Sequence, residues 1–255
     1  MFRKIVISLY AFKILKRFIP SFLRIIAYFL NHQVTNIKNF KMNLFLKSSI
    51  EREIYLKGTY ETEQINFASK ILDKDTYDYF FDIGSYIGYY SLIFCQKVKK
   101  TIAFEPNKEN FIRLKKNIEL NNFNIDCHNI ACSDKKKDLK IWYTDMNKKG
   151  GSSIYDEKDT EITKYDKSKI FFENIESIPL DHLFDLKDKI IFLKIDVERH
   201  ELNVLLGASR LISNNKIFIQ VEIFPHLKDK ILHYLYEKNF KLLNSINNDY
   251  YLKNF

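Results

Sequence analysis

The sequence predicts an α/β fold built on a mostly parallel sheet. Three observations carry that prediction. Residues 79–107 read as strand, glycine loop, helix, strand and acid. Residues 190–196 form a nearly continuous apolar run, the signature of a strand buried on both faces. From residue 59 to the C-terminus, helical and strand periodicities alternate.

Taken in order, residues 2–19 and 21–32 read as helices broken at Pro20, and 33–58 read as irregular with short strands. A helix is expected over Thr59–Leu72, with Ile65, Phe67, Ala68, Ile71 and Leu72 on its apolar side. The first core strand is predicted at Tyr79–Ile83, a helix over 87–97 and the second strand over 100–105. Phe111, Leu114 and Ile118 mark a helix over 107–121, followed by a third strand near 125–130. Lys137–Tyr143 alternates like a strand, and 144–168 is a polar stretch read as a loop. A short strand is expected at 175–178 and a turn of helix at 180–184. The fourth core strand falls at 190–196, a helix over 201–213 and the fifth strand over 217–224. A helix over 226–238 and strands near 239–245 and 249–253 complete the sheet at seven strands. Residues 1–58 form a basic, apolar extension and 59–255 a single catalytic-type domain.

The glycine loop points to a cofactor. Gly84 makes the tight turn, and Gly88 lets the next helix sit close to the sheet. A dinucleotide loop, Gly-x-Gly-x-x-Gly, uses its second glycine to admit a diphosphate. Here that position is Tyr86, whose side chain would meet one. S-adenosylmethionine (SAM) has no phosphate, and its carboxylate suits the helix N-terminus after Gly84. Glu105, 21 residues after Gly84, stands where an acid accepts from ribose hydroxyls.

Composition narrows the setting. Cys95, Cys127 and Cys132 make no disulfide framework and no Cys-x-x-Cys, which reads as reduced thiols and a cytoplasmic location. The formal charge is +9, and all of it lies in the first 50 residues, which carry nine Lys/Arg and no Asp or Glu. Lys13, Lys16, Arg17 and Arg24 interrupt every candidate membrane span, and no signal-peptide cleavage pattern follows. Residues 1–32 therefore read as helices packed on the domain, as a peripheral anchor at an anionic inner membrane face, or as a nucleic-acid contact.

The sequence resembles the FkbM family of SAM-dependent methyltransferases. The stretches that carry the likeness are 81–92 (Phe81-Asp82-Ile83-Gly84-Ser85-Tyr86-Ile87-Gly88 and onward), Ala103-Phe104-Glu105-Pro106, Asn129-Ile130-Ala131-Cys132-Ser133-Asp134, Gly151-Ser152-Ser153, 193–201 and Val221-Glu222-Ile223. They occur in the family's order over about residues 73–226. The resemblance implies a doubly wound, seven-stranded Rossmann-like sheet of the class I SAM methyltransferase type. It also implies O-methylation of hydroxyls on sugars, glycans or other small molecules. It places Asp82, Gly84, Ser85, Tyr86 and Gly88 around the methionine half, Glu105 at the ribose, and Ser133 and Asp134 toward the adenine, with Pro106 and Asn129 also among the cofactor-binding residues. Where the family has Gly after Asp-Val-Glu, this chain has Arg199.

A hydroxyl is a weak nucleophile, so methyl transfer to it needs alignment and a base. Ligands of open α/β sheets bind beyond the carboxyl ends of the strands. The fourth strand brings Asp196 there, with Glu198 and His200 following, and the fifth brings Glu222. Asp196 is the first candidate base. Its alternative is a structural acid capping the next helix. Glu198 and His200 have structural alternatives too. Asp196 and Glu222 are also of a type that binds a divalent cation, though no ligand spacing supports one and the metal stays open. A nucleic-acid methyltransferase is the second reading. None of the four prolines is followed by Pro or Cys, which argues against it. A non-catalytic SAM-fold protein at a membrane surface is the third, favoured by Arg199. Acceptor identity and oligomeric state are not legible here.

Overall fold

The computed structural model describes residues 32–143, 153–154, 166 and 170–255. The expected helices over residues 2–19 and 21–32 lie outside the described residues, except for His32, which begins a strand. Most of the expected loop over 144–168 lies outside them as well. No helix among the described residues is long and apolar enough to cross a membrane. The chain divides into two compact units, one running to Thr62 with Glu119–Asn122, the other Glu63–Ile118 with Phe123–Phe255.

In the first unit, β1 (His32–Ile37) and β2 (Phe40–Phe45) form an antiparallel hairpin, and α1 (Ser49–Lys57) follows. The short strands expected within residues 33–58 are present as β1 and β2, while α1 was not expected. The signal was the cap chemistry. Ser48 accepts from Glu51 N–H at 3.4 Å, and Gly58 ends the helix in the left-handed region. Asn121 closes onto this unit, its side chain exchanging two hydrogen bonds with the Lys41 backbone at 2.6 and 2.7 Å.

The second unit holds α2 (Thr62–Leu72), β3 (Tyr77–Ile83), α3 (Tyr89–Phe94), β4 (Val98–Phe104), α4 (Lys108–Glu119) and β5 (Ile125–His128). After them come β6 (Ala131–Cys132), β7 (Lys137–Tyr143), β8 (Ser153–Ile154), β9 (Phe171–Ile178) and α5 (Leu180–Leu183). The chain then runs through β10 (Ile190–Ile195), α6 (Glu201–Gly207), α7 (Ser209–Ser213), β11 (Lys216–Glu222), α8 (Lys228–Glu237), β12 (Lys241–Ile246) and β13 (Asp249–Lys253). The main sheet is seven-stranded in the order β12-β13-β11-β10-β3-β4-β5. Its β3, β4, β5, β10 and β11 pair in parallel, while β13 is antiparallel to both its neighbours. This is the expected seven-stranded α/β sheet. The sequence did not reveal that β6, β9, β7 and β8 form a separate four-stranded sheet. The predicted helix over 201–213 also breaks in two at Ala208.

Strand register sets what each face carries, because side chains alternate. One face packs Phe81, Ile83, Leu193, Ile195, Ile219 and Val221 against Val204, Leu205, Leu211, Ile212, Ile231 and Leu235 of α6, α7 and α8. The other face changes character along the strands. Phe80, Phe192 and Phe218 stand side by side in register, stacked at 4.6 and 5.0 Å, with Phe94 of α3 edge-on. Two residues further on, the register brings Asp82, Lys194 and Gln220 into a row. The next row, at the carboxyl edge, holds Asp196 and Glu222, and Asp249 pairs with Glu222 from β13. A buried aromatic floor thus gives way to polar groups and then to acids where the strands end.

Candidate active site

The glycine loop follows β3 and is hydrogen-bonded to the end of β4. Gly84 and Ser85 N–H each donate to Phe104 C=O at 3.0 Å, and Ser85 Oγ donates there as well. Gly84 has φ 82°, and a Cβ there would lie 1.9 Å from the Asp196 carbonyl oxygen. Only glycine allows β3 and β10 to meet this closely. Gly88, at φ 85°, opens α3, and its missing Cβ makes room for Leu114 of α4. Tyr86 adopts φ 51°, and its N–H donates to Glu105 Oε2 at 2.8 Å. The loop N–H that a dinucleotide fold offers to a diphosphate is therefore already taken by an acid.

Glu105 ends β4 and is only 6% exposed. Its Oε1 accepts from Asn107 N–H at 2.9 Å and from the Asn110 amide at 3.4 Å. Burial pushes its carboxyl up to about 8, against the pull of the Asn107 and Tyr86 N–H groups. Asn129 donates to the Glu105 and Pro106 carbonyls, both at 2.9 Å, and so braces the backbone that carries the acid.

Ser133, Asp134 and His200 form one chain of hydrogen bonds. Ser133 Oγ donates to Asp134 Oδ1 at 3.0 Å, which leaves it to accept from His200 Nε2 at 2.9 Å. Asp134 also accepts from Asn203 at 3.2 Å. Burial would raise the Asp134 carboxyl, but the Asn203 and Ser133 bonds and the Lys137 charge hold it below the usual range. Burial, helped by Lys137, pushes His200 down to about 4, so its ring is neutral near pH 7. His200 thus faces the adenine-side candidates Ser133 and Asp134.

The other three catalytic candidates do converge. Asp196, Glu198 and Glu222 are half-buried and bring carboxylate oxygens within 4.8 Å of one another. Lys194, buried in β10, donates to Asp196 Oδ2 at 2.9 Å and lies 4.6 Å from the centre of the Tyr90 ring. Burial and then the charges of Asp196 and its acidic neighbours push Glu222 up to about 9. Burial, Asp196 and Glu201 push Glu198 up to about 7. Glu201 is fully buried and rises to about 7, chiefly through burial. Below them Asp82 is fully buried, accepts from Ser91 Oγ at 2.5 Å and is raised, first by burial.

Lys194, Gln220 and Asp249 were not among the sequence candidates. Gln220 donates from its amide to Tyr90 Oη at 3.2 Å and to Asp249 Oδ1 at 2.9 Å. The available signal was a single Lys and a single Gln inside otherwise apolar strands, since unpaired polar groups are seldom buried.

The model of the family described as the methyltransferase FkbM domain matches residues 82–242. Among solved structures, a methyltransferase FkbM from Methylobacillus flagellatus KT is similar at 17% identity, over 69% of this chain and 43% of that one, with TM-score 0.47. A ribosomal protein L11 methylase from Lactobacillus delbrueckii subsp. bulgaricus is similar at 12% identity, over 76% and 78%, with TM-score 0.45. A tRNA (uracil-54, C5)-methyltransferase from Pyrococcus abyssi, in complex with S-adenosyl-L-homocysteine, is similar at 8% identity, over 88% and 43%, with TM-score 0.48. This chain spans less than half the length of the first and third of these. No curated protein matches the sequence.

Proposed function

The chain belongs to the methyltransferase FkbM family, and from that premise we propose that it transfers the methyl group of SAM to a hydroxyl of a sugar, glycan or glycolipid-like acceptor. The observation that carries this reading is the gathering of Asp196, Glu198 and Glu222 at the strand ends, beside the glycine loop. The acceptor oxygen bonds to the methyl carbon as the carbon–sulfur bond breaks. That electron pair stays on sulfur, giving neutral S-adenosylhomocysteine. The hydroxyl proton passes to a carboxylate. Asp196 is suited to receive it, whereas Glu222, pushed up to about 9 by burial and its acidic neighbours, already holds a proton near pH 7 and is suited to hydrogen-bond the acceptor. Glu198 adds negative charge that favours the cationic sulfonium.

On the cofactor side, Gly84, Ser85, Tyr86 and Gly88 surround the methionine half, with Asp82 beneath them. Glu105 Oε2 accepts from one protein donor among the described residues, so it retains capacity for a ribose hydroxyl. Ser133 and Asp134 border the adenine. His200 is a positioning residue for that pair, and Asn129 and Pro106 fix the Glu105 backbone. A crevice this rich in carboxylates repels phosphodiesters, which supports a sugar hydroxyl over a nucleic-acid base.

Two measurements test the reading. Calorimetric titration with SAM gives saturable binding, and Glu105→Gln weakens it roughly 2- to 10-fold, the worth of a hydrogen bond to a largely neutral acceptor. Methyl-labelled SAM then delivers label to free sugars or glycans and not to RNA. A folded protein that does not bind SAM, or label recovered only in RNA, removes the proposal.

A further inference from the structure

We propose that Lys194 is a positioning residue for methyl transfer: its ammonium holds one oxygen of the Asp196 carboxylate and leaves the other open to the acceptor hydroxyl. The inference rests on the methyl-transfer reading, in which Asp196 receives the proton. Lys194 lies in β10, and Asp196 follows two residues on, where side chains share a face. The Lys194 Nζ to Asp196 Oδ2 distance is 2.9 Å, and the side chains are 4% and 35% exposed. The cation is therefore inside the sheet and the acid at its rim. Among the described residues the Asp196 side chain accepts no other hydrogen bond, so Oδ1 keeps its capacity for a hydroxyl.

A lysine chain is flexible and its ammonium strongly hydrated, so a buried one needs a seat. Here the ammonium lies 4.6 Å from the centre of the Tyr90 ring, a cation–π contact. Tyr90 is itself buried and held at both ends. Its ring lies 5.9 Å from that of Phe94, and its hydroxyl accepts from the Gln220 amide at 3.2 Å. The same amide donates to Asp249 Oδ1 at 2.9 Å, and Gln64 of α2 reaches Asp249 Oδ2 at 3.5 Å. The seat is thus braced from α3 and β11 and, through Asp249, from β13 and α2. Phe192, two residues earlier on the same face, belongs to the aromatic floor. An apolar side chain would fill the position beside it without the cost of taking an ammonium out of water. What the lysine adds is a fixed charge at Asp196. The titratable groups around the pair are Asp82 from β3, Glu198 and Glu201 after β10, Glu222 from β11, Asp249 from β13 and Tyr90 from α3, with Arg199 acting on Glu198. The five acids, when ionised, all oppose a negative charge on Asp196, and Lys194 is the cation bonded to it.

The first arm of the test does not depend on turnover. The full chain, labelled at aspartate carboxyl carbons and free of SAM, is titrated with acid by NMR, and the Asp196 signal is identified by its loss in Asp196→Asn. In Lys194→Met, Asp196 should hold its proton at least about 10-fold more tightly, the effect of losing an opposite charge at contact distance. Lys194→Arg should restore most of the difference. The second arm follows label from methyl-labelled SAM into free hexoses and glycan fragments. Lys194→Met should lower kcat about 10- to 100-fold, leave SAM affinity by calorimetry unchanged and move the acid side of the pH profile to higher pH. Lys194→Arg should recover part of the rate. A packing role alone would move neither the proton affinity nor the profile. If circular dichroism shows Lys194→Met unfolded, Lys194→Gln, an uncharged donor, takes its place. A folded variant in which Asp196 titrates as in the wild type, or in which kcat is kept, overturns the proposal. SAM binding and labelled acceptor with an unmoved Asp196 remove the role of Lys194 alone. A shifted Asp196 in a protein that neither binds SAM nor labels an acceptor removes the methyl-transfer reading alone.

Discussion

Glu198 and Arg199 both lie in the left-handed region, at φ 53° and 79°. Two consecutive side chains there cost roughly 1–2 kcal/mol each. At the second position the family pattern has Gly and this chain has Arg. The guanidinium recovers part of the cost by stacking on Phe224, about 0.5–1 kcal/mol. Its larger effect is electrostatic, since its charge lowers the Glu198 carboxyl against burial and two acids. Arg199→Gly is therefore expected to leave stability nearly unchanged and to move Glu198 above its value of about 7. Carboxyl-carbon NMR titration measures this, and an unmoved Glu198 would count against the account. Some residues of this site were legible in the sequence and others were not. Gly84 and Glu105 were, because a turn and an acid at fixed spacing have a geometric cause. Lys194 and Gln220 were hidden, because hydrophobic periodicity reports the apolar neighbours and is silent on one polar side chain buried among them. The grouping of His200 with Ser133 was also hidden, since residues 67 positions apart meet only through the fold.

The elements meet through close backbone approaches that sequence patterns register only as glycines. Gly207 ends α6 where a Cβ would lie 1.9 Å from the Ser133 carbonyl oxygen and 2.8 Å from its carbon. Both neighbours are backbone and cannot swing aside. Gly207→Ala should therefore cost about 2–4 kcal/mol, read by chemical denaturation. A loss under about 0.5 kcal/mol would mean that the approach is looser than described. The core strands were readable because parallel strands buried on both faces form unbroken apolar runs. The four-stranded sheet was not. Two of its strands have only two residues each, and β9 is half exposed, with Phe171 and Phe172 open to solvent. The pairing of β1 and β2 into a hairpin was not foreseen, for a related reason. Short strands with polar residues between apolar ones resemble coil when their partner is unknown.

For the whole molecule, the concentration of raised carboxyls dictates how stability depends on pH. Glu105, Glu198, Glu201 and Glu222 titrate at about 8, 7, 7 and 9 in the folded chain, against 4.5 for ordinary Glu. A raised folded value means that the native state holds protons the unfolded chain has released. Stability from this source is whole below about 4.5 and is lost as pH rises through 7 to 9. His200, depressed from 6.5 to about 4, works in the opposite direction, but only below about 6.5. Between pH 6.5 and 9 the carboxyls act alone, so the melting temperature of the ligand-free protein should fall across that window. Glu222→Gln should flatten the fall. A melting temperature that is level or rises there would show that these groups are ionised at little cost.

The contact between Gly84 and the Asp196 carbonyl has a kinetic corollary. Asp196 N–H also donates to Ile83 C=O at 3.0 Å, so the glycine loop and the acid-bearing strand edge are riveted together. Nothing in that seam can hinge. Under the proposed methyl transfer, the gap between cofactor and acceptor is set when the chain folds, and turnover should be paced by how acceptors arrive and leave.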